Sequence, residues 1–171
     1  GTELGVCVIG TGRAGMIHAQ NYAAGIPNCR LAALSDPYEP ALRSAGEQTG
    51  ITSLYADYHD ALDDPAVDAV VIVTPTDLHL EVAVAAASAG KHVFCEKPMA
   101  MNEAECIRMI DACADAGVKL QIGFMRRFDL SYRTCCAQLR SGEIGEVNQV
   151  KSLTHGPSIP QPWMLDVGRS N

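Results

Sequence analysis

Apolar positions along the chain follow two alternating patterns. Short unbroken runs such as Val6-Cys7-Val8-Ile9 and Val70-Val71-Ile72-Val73 are separated by longer stretches in which apolar residues recur at helical spacing. An unbroken β-branched run suits a strand covered on both faces, as in a parallel sheet. The pattern predicts strands over 6–9, 31–34, 53–55, 70–73, 92–95 and 120–124. Helices are predicted over 14–24, 40–49, 58–62 and 78–89, and from a cap at Asn102 through 116. Pro27 lies past the first helix, Asp36-Pro37 stops the second strand, and Gly50, Gly90 and Gly117 stand where C-terminal caps belong. Asn102 suits an N-cap, with Glu103 and Glu105 in the first turn to complement the helix dipole. Strand–helix alternation of this kind predicts βαβ units, hence an α/β fold with a doubly wound parallel sheet and right-handed crossovers.

The character changes after Phe124. A helix is predicted over 129–140, then a turn at Ser141-Gly142-Glu143, then a strand over Val147–Leu153, where apolar residues alternate. A proline-rich loop, G-P-S-I-P-Q-P-W, follows. A helix, one strand and a loop cannot enclose a core. Residues 1–125 therefore read as one complete domain, and 126–171 as a linker helix and the incomplete start of a second α/β domain.

Charge and composition narrow the function. The 171 residues carry a formal net charge of -7, which argues against an electrostatic grip on nucleic acid. The seven cysteines are odd in number and contain no C-x-x-C, so they read as reduced thiols of a cytoplasmic protein. The five histidines show no H-x-x-x-H spacing, and no metal site is expected. No stretch reaches the roughly 18 apolar residues of a membrane span, and a strand begins where a signal peptide would lie.

Gly10-Thr11-Gly12-Arg13-Ala14-Gly15 matches G-x-G-x-x-G. It directly follows a strand and opens a helix, the context in which that pattern binds a dinucleotide. The first glycine permits a tight turn, the second lets the backbone approach a pyrophosphate, and the third lets helix pack on strand. The helix start offers free N–H groups to the phosphates. Asp36 ends the second strand about 20 residues further on, where an acid accepts hydrogen bonds from the adenosine ribose diol. Its charge would repel a 2′-phosphate, so NAD is preferred over NADP, although Arg43 nearby keeps NADP open. The other reading of Asp36 is a helix cap before Pro37.

Residues 94–100 read F-C-E-K-P-M-A, an apolar strand running into an acid, a base and a proline. Lys97 there is either a surface charge paired with Glu96 or a group held at the mouth of a site. Oxidising an alcohol requires removal of a proton as hydride leaves. An unperturbed lysine, with a pKa near ~10.4, does this poorly at neutral pH unless burial or a positive neighbour lowers it. Thr74-Pro75-Thr76 ends the fourth strand on the same carboxyl edge, where ligands of open α/β sheets gather.

The segments V-C-V-I-G-T-G-R-A-G, V-I-V-T-P-T-D-L-H, A-G-K-H-V-F-C-E-K-P-M-A, G-F-M-R-R-F-D and G-E-I-G-E-V together resemble the Gfo/Idh/MocA family of NAD(P)-dependent oxidoreductases. The resemblance implies a Rossmann domain followed by a mixed α/β domain that supplies much of the substrate pocket and the oligomer interface, with a dimer or tetramer at full length. It implies that Lys97 points at a substrate hydroxyl beside the nicotinamide, that Lys97-Pro98 is cis, and that Glu96 lies on the cofactor side. Gly10, Thr11, Gly12, Arg13, Ala14, Gly15, Asp36, Thr74, Pro75, Thr76, His79, Glu96, Lys97 and Arg126 are the implied cofactor contacts. For Thr76 or Asp77 the alternative is a helix cap, for His79 a structural histidine, and for Arg126 with Arg127 a surface pair. The implied substrate is a sugar or cyclitol such as inositol. The family's catalytic acid and histidine lie past a loop resembling Gln161-Pro162-Trp163-Met164-Leu165-Asp166. The sequence ends before such a histidine; His155 precedes the loop, and Asp166 is no secure substitute. The fragment is therefore expected to bind cofactor better than it turns over substrate. Two other classes stay open: an inactive NAD(P)-binding sensor or scaffold, and a glycoside-processing enzyme that uses transient oxidation.

Overall fold

The computed structural model describes residues 3–153. In chain order its elements are β1 (Leu4–Ile9), α1 (Arg13–Gly25), β2 (Cys29–Ser35), α2 (Glu39–Thr49), β3 (Leu54–Tyr55), α3 (Tyr58–Asp63), β4 (Ala69–Ile72), α4 (His79–Ser88), β5 (His92–Cys95), α5 (Glu103–Asp115), β6 (Leu120–Ile122) and α6 (Leu130–Arg140). The six strands form one parallel sheet in the order β3-β2-β1-β4-β5-β6. This is the doubly wound Rossmann arrangement, with its reversal of strand order between β1 and β4.

The unbroken apolar strands feed two cores. Along β1, Cys7 and Ile9 join Val70, Ile72, Val93 and Cys95 beneath α4 and α5, which contribute Ala83, Ala86, Met109 and Cys113. The alternate residues Val6 and Val8 pack with Leu34 and Val71 beneath Ala19 of α1 and Leu42 and Ala45 of α2. The period of two along a strand sends successive side chains to opposite faces, so both faces must be apolar. Fully burying each large side chain stabilises the fold by roughly 1.5–3 kcal/mol.

Strand register aligns the functional rim. Ile9 lies opposite Ile72, and Ile72 opposite Cys95. Beyond these pairs Gly10 N–H donates to Ser35 O at 2.8 Å, Val73 N–H to Ile9 O at 2.9 Å, Glu96 N–H to Ile72 O at 3.0 Å and Gly123 N–H to Cys95 O at 2.8 Å. The carboxyl ends of β2, β1, β4 and β5 therefore finish level. With strands about 4.8 Å apart, β5 stands about 10 Å from β1 along that rim.

Local signals account for most boundaries. Asn102 Oδ1 accepts the Glu105 N–H at 3.0 Å, and the Glu105 carboxylate accepts the Met101 N–H at 3.0 Å, a reciprocal cap at the start of α5. Gly90 and Gly117 take the left-handed conformation after α4 and α5, as expected. Several boundaries move by a residue or two, among them the starts of β1 at Leu4 and β2 at Cys29. A 3-10 turn over Thr76–Leu78 precedes α4, and β6 stops at Ile122 because the Phe124 N–H folds back onto Ile122 O at 2.8 Å.

One expected element is absent: Val147–Leu153 forms no strand, and Val150 and Leu153 are exposed. Alternation makes a strand only when a neighbour completes the hydrogen-bond ladder, and residues 3–153 offer none there. The proline-rich loop, His155 and Asp166 lie outside the described residues. Among the described residues no helix is long and apolar enough to cross a membrane.

Candidate active site at the sheet's carboxyl rim

The glycine turn places its glycines for three different physical reasons. Gly10 has φ +99°, and a Cβ there would lie 2.7 Å from Val73 O on the neighbouring strand. At Gly15 a Cβ would lie 1.8 Å from Gly10 O, so only glycine lets α1 seat against the turn. Gly12 differs: a Cβ there would meet nothing within 4 Å, and φ is -66°. No atom of the described chain demands glycine at position 12. The open space lies at the N-cap of α1, which has no side-chain capping bond. Free N–H groups beside an open approach fit an anionic ligand, such as a dinucleotide's pyrophosphate. Arg13 and Ala14 are exposed in the first turn of the helix.

Asp36 is tied to this turn. Its Oδ2 accepts the Thr11 N–H at 2.7 Å and the Thr11 hydroxyl at 2.9 Å, and its Oδ1 accepts the Tyr38 N–H at 2.8 Å. The N-cap of α2 is Tyr38, so Asp36 does not cap that helix. A carboxylate has about four acceptor sites, so Asp36 retains capacity for a further donor. Arg43 is engaged elsewhere: its Nε donates to Glu39 Oε1 at 3.1 Å, one helical turn back. That pairing weakens the case for Arg43 as a ligand for a 2′-phosphate.

The Thr74-Pro75-Thr76 segment follows β4. Among the described residues the Thr74 hydroxyl is buried and has no hydrogen-bond partner, an unusual state for a buried polar atom. Neither Thr76 nor Asp77 makes a capping bond: the N-cap positions of the 3-10 turn and of α4 are Pro75 and Leu78, both without side-chain caps. His79 is only 2 % exposed. Its Nδ1 lies 2.8 Å from Pro98 O and its Nε2 2.9 Å from Thr74 O. Each ring nitrogen faces a backbone oxygen, to one of which the neutral ring donates, so His79 sits between the Thr74 segment and the Lys97-Pro98 turn instead of offering a nitrogen to a ligand.

Lys97 is exposed, its bond to Pro98 is cis, and its ammonium has no hydrogen bond or ion pair among the described residues. The partial burial anticipated for it is not supplied by residues 3–153. Glu96, its neighbour, does not pair with that ammonium. Oε1 lies 3.0 Å from His18 Nε2 of α1, and Oε2 accepts the Lys97 backbone N–H at 3.1 Å. Each oxygen thus has a partner other than the Lys97 ammonium, which removes the surface-pair reading of Lys97; as at Asp36, the carboxylate keeps capacity for a further donor.

His18 is the residue that the sequence reading missed. Its signal was its position, one helical turn past Gly15, on the α1 face beside Ala19. Arg126 folds onto α6, with a nitrogen donating to the Tyr132 hydroxyl and the guanidinium 5.1 Å from that ring's centroid. Arg127 is exposed. Cys95 is buried behind the site; burial, and secondly the charge of Glu96, push its thiol up to about 12. It is no nucleophile at neutral pH. Among the described residues no cluster of His, Cys, Asp and Glu could hold a metal.

The sequence pattern of an oxidoreductase family with an NAD-binding Rossmann fold, Gfo/Idh/MocA, matches residues 4–124. The chain belongs to this family. Among Gfo/Idh/MocA members it is 40% identical to the myo-inositol 2-dehydrogenase of Thermotoga maritima over 90% of its own length and 46% of the relative's. It is 35% identical to the scyllo-inositol 2-dehydrogenase (NAD(+)) of Bacillus subtilis, over 90% of the chain and 45% of that protein. In three dimensions it superposes with a TM-score of 0.80 and 35% identity on the scyllo-inositol dehydrogenase of Lactobacillus casei, solved with NAD(H) and scyllo-inositol. That match covers 85% of this chain and 43% of the other. The chain thus spans about half the length of the curated relatives it matches.

Proposed function

We propose that the full-length polypeptide carrying this chain is an NAD-dependent dehydrogenase of cyclitols, inositol being the favoured class, and that residues 1–125 are its cofactor-binding domain. The observation that carries the reading is the Lys97 ammonium, unpaired among the described residues, on the same level rim as the open glycine turn. In this reading the N–H groups at the start of α1 hold the pyrophosphate, Gly12 gives it room, and Asp36 takes the adenosine ribose hydroxyls. The Thr74 hydroxyl gains its missing partner from the bound dinucleotide. NAD, when bound, supplies a nicotinamide ring that accepts hydride. Lys97 then takes the proton of the secondary hydroxyl through its uncharged amine, and returns it in the reverse direction. Residues 126–171 open a second α/β domain that covers the exposed apolar side chains Phe128, Leu130, Val150 and Leu153, and that contributes to the substrate pocket and an oligomer interface.

The deciding experiment measures NADH formation by the full-length polypeptide with NAD and a panel of inositols and sugars. Wild type turns over at least one of them, and Lys97→Ala lowers kcat by about 100-fold or more while NADH affinity changes little. Undiminished turnover in that variant removes Lys97 from the chemistry. NADH binding without turnover on any substrate favours a sensor or scaffold, and product formed without net NADH favours transient oxidation.

A further inference from the structure

We infer that His18 is a positioning residue that fixes Lys97 through Glu96, linking the helix that receives the cofactor's phosphates to the group that moves the proton. The inference rests on the dehydrogenase reading of the rim.

His18 and Glu96 are 78 positions apart in sequence, yet Nε2 and Oε1 are 3.0 Å apart. His18 rises from α1, and its ring meets Phe94 of β5 edge-on, with centroids 5.5 Å apart. On its other side the carboxylate lies close to Gly123, next to the end of β6: a Cβ added there would sit 3.0 Å from the same Oε1. The carboxylate is therefore confined by α1 on one side and the β6 end on the other. Its second oxygen holds the Lys97 backbone N–H at 3.1 Å. The order of contacts is helix, imidazole, carboxylate, then the lysine's own peptide, with the Pro98 carbonyl held from the opposite side by His79.

Two consequences follow for Lys97. Its backbone is anchored on both flanks, so the amine samples a narrower volume. The nearest acid is also kept off the ammonium. A Glu96 side chain released from His18 is free to rotate toward that ammonium, and the resulting pair would hold the amine away from a substrate. The hydrogen bond requires a donor at the Nε2 position; the ring's packing on Phe94 requires only an aromatic plane.

That difference gives the test. In the full-length polypeptide, His18→Gln keeps an N–H close to the Nε2 position, His18→Phe keeps the ring without the donor, and Glu96→Ala removes the acceptor. NADH affinity and kcat with the best cyclitol are measured for each. His18→Phe and Glu96→Ala are expected to lower kcat by roughly 10- to 100-fold, the scale of a small misplacement of a reacting group. NADH affinity should stay within about threefold, and His18→Gln should recover most of the lost kcat. The double variant His18→Phe/Glu96→Ala should be no slower than either single one, as for residues acting in one chain of contacts. Equal losses in His18→Gln and His18→Phe, or no loss in Glu96→Ala, overturn the inference. Should His18→Phe fail to fold, the Glu96→Ala and His18→Gln results still decide it. A wild-type protein that does not bind NADH defeats the dehydrogenase reading itself, a separate outcome.

Discussion

Replacing Gly12 by Ala tests the ligand crevice with one methyl group. The new Cβ meets no protein atom within 4 Å, and the position already has φ -66°, which alanine adopts freely. Glycine is the better N-cap of the two, so the folded state should lose no more than about 1 kcal/mol. A shift of that size moves Tm by about 2–4 °C for 150–250 residues and by less in a longer full-length polypeptide. If the pyrophosphate runs over Gly12, the methyl displaces it from the helix N–H groups. NADH affinity should then fall by at least about tenfold, equivalent to about 1.4 kcal/mol. Gly15→Ala gives the opposite profile. Its Cβ would sit 1.8 Å from Gly10 O, a backbone atom that cannot rotate away, so α1 must shift bodily. Overpacking of this kind costs about 1–3 kcal/mol, offset in part by the roughly 1 kcal/mol that alanine gains in helix propensity. Thermal unfolding with and without NADH, together with NADH fluorescence titration on the full-length polypeptide, separates the two terms. Wild-type NADH affinity in Gly12→Ala would refute the placement of the dinucleotide.

Other expectations follow from the same rim and its supports. Asp36→Ala should weaken NADH binding about tenfold and narrow its advantage over NADPH, because both the ribose acceptor and the tether to Thr11 are lost; an unchanged NADH-to-NADPH ratio of dissociation constants would count against that role. The Asp64 carboxyl is held below its usual range, first by the Ala66 N–H and then by the Tyr55 hydroxyl. The stability it contributes is therefore complete above the unfolded value near ~3.9 and is lost as pH falls through the lower folded value. Acid titration of Asp64→Asn should lack that component, and identical acid transitions in the two proteins would refute it. Burial pushes the Cys7 and Cys95 thiols up to about 12, so neither should be alkylated by iodoacetamide at pH 8 until the protein unfolds, as peptide mass spectrometry would read directly.

The linear chain determined what depends on neighbours in sequence. Unbroken apolar runs identified the strands, because a strand covered on both faces must be apolar at every position. Gly10, Gly12 and Gly15 marked the turn, Asn102 and Gly117 marked the ends of α5, and the strand end at Glu96-Lys97-Pro98 marked a residue out of place in a simple core. The expectation of a strand over Val147–Leu153 failed for the complementary reason: its alternation is local, but a strand exists only with a partner. Tertiary structure decided what depends on residues far apart. Register brought Gly10, Asp36, Thr74 and Glu96 to one level rim, through hydrogen bonds between strands whose pairing no local pattern records. It joined Glu96 to His18 and to the Lys97 backbone N–H, enclosed His79 between two carbonyls, and folded Arg126 onto Tyr132. A side chain's reach is a few ångströms, and which groups fall within it is set only once the sheet and its helices have packed.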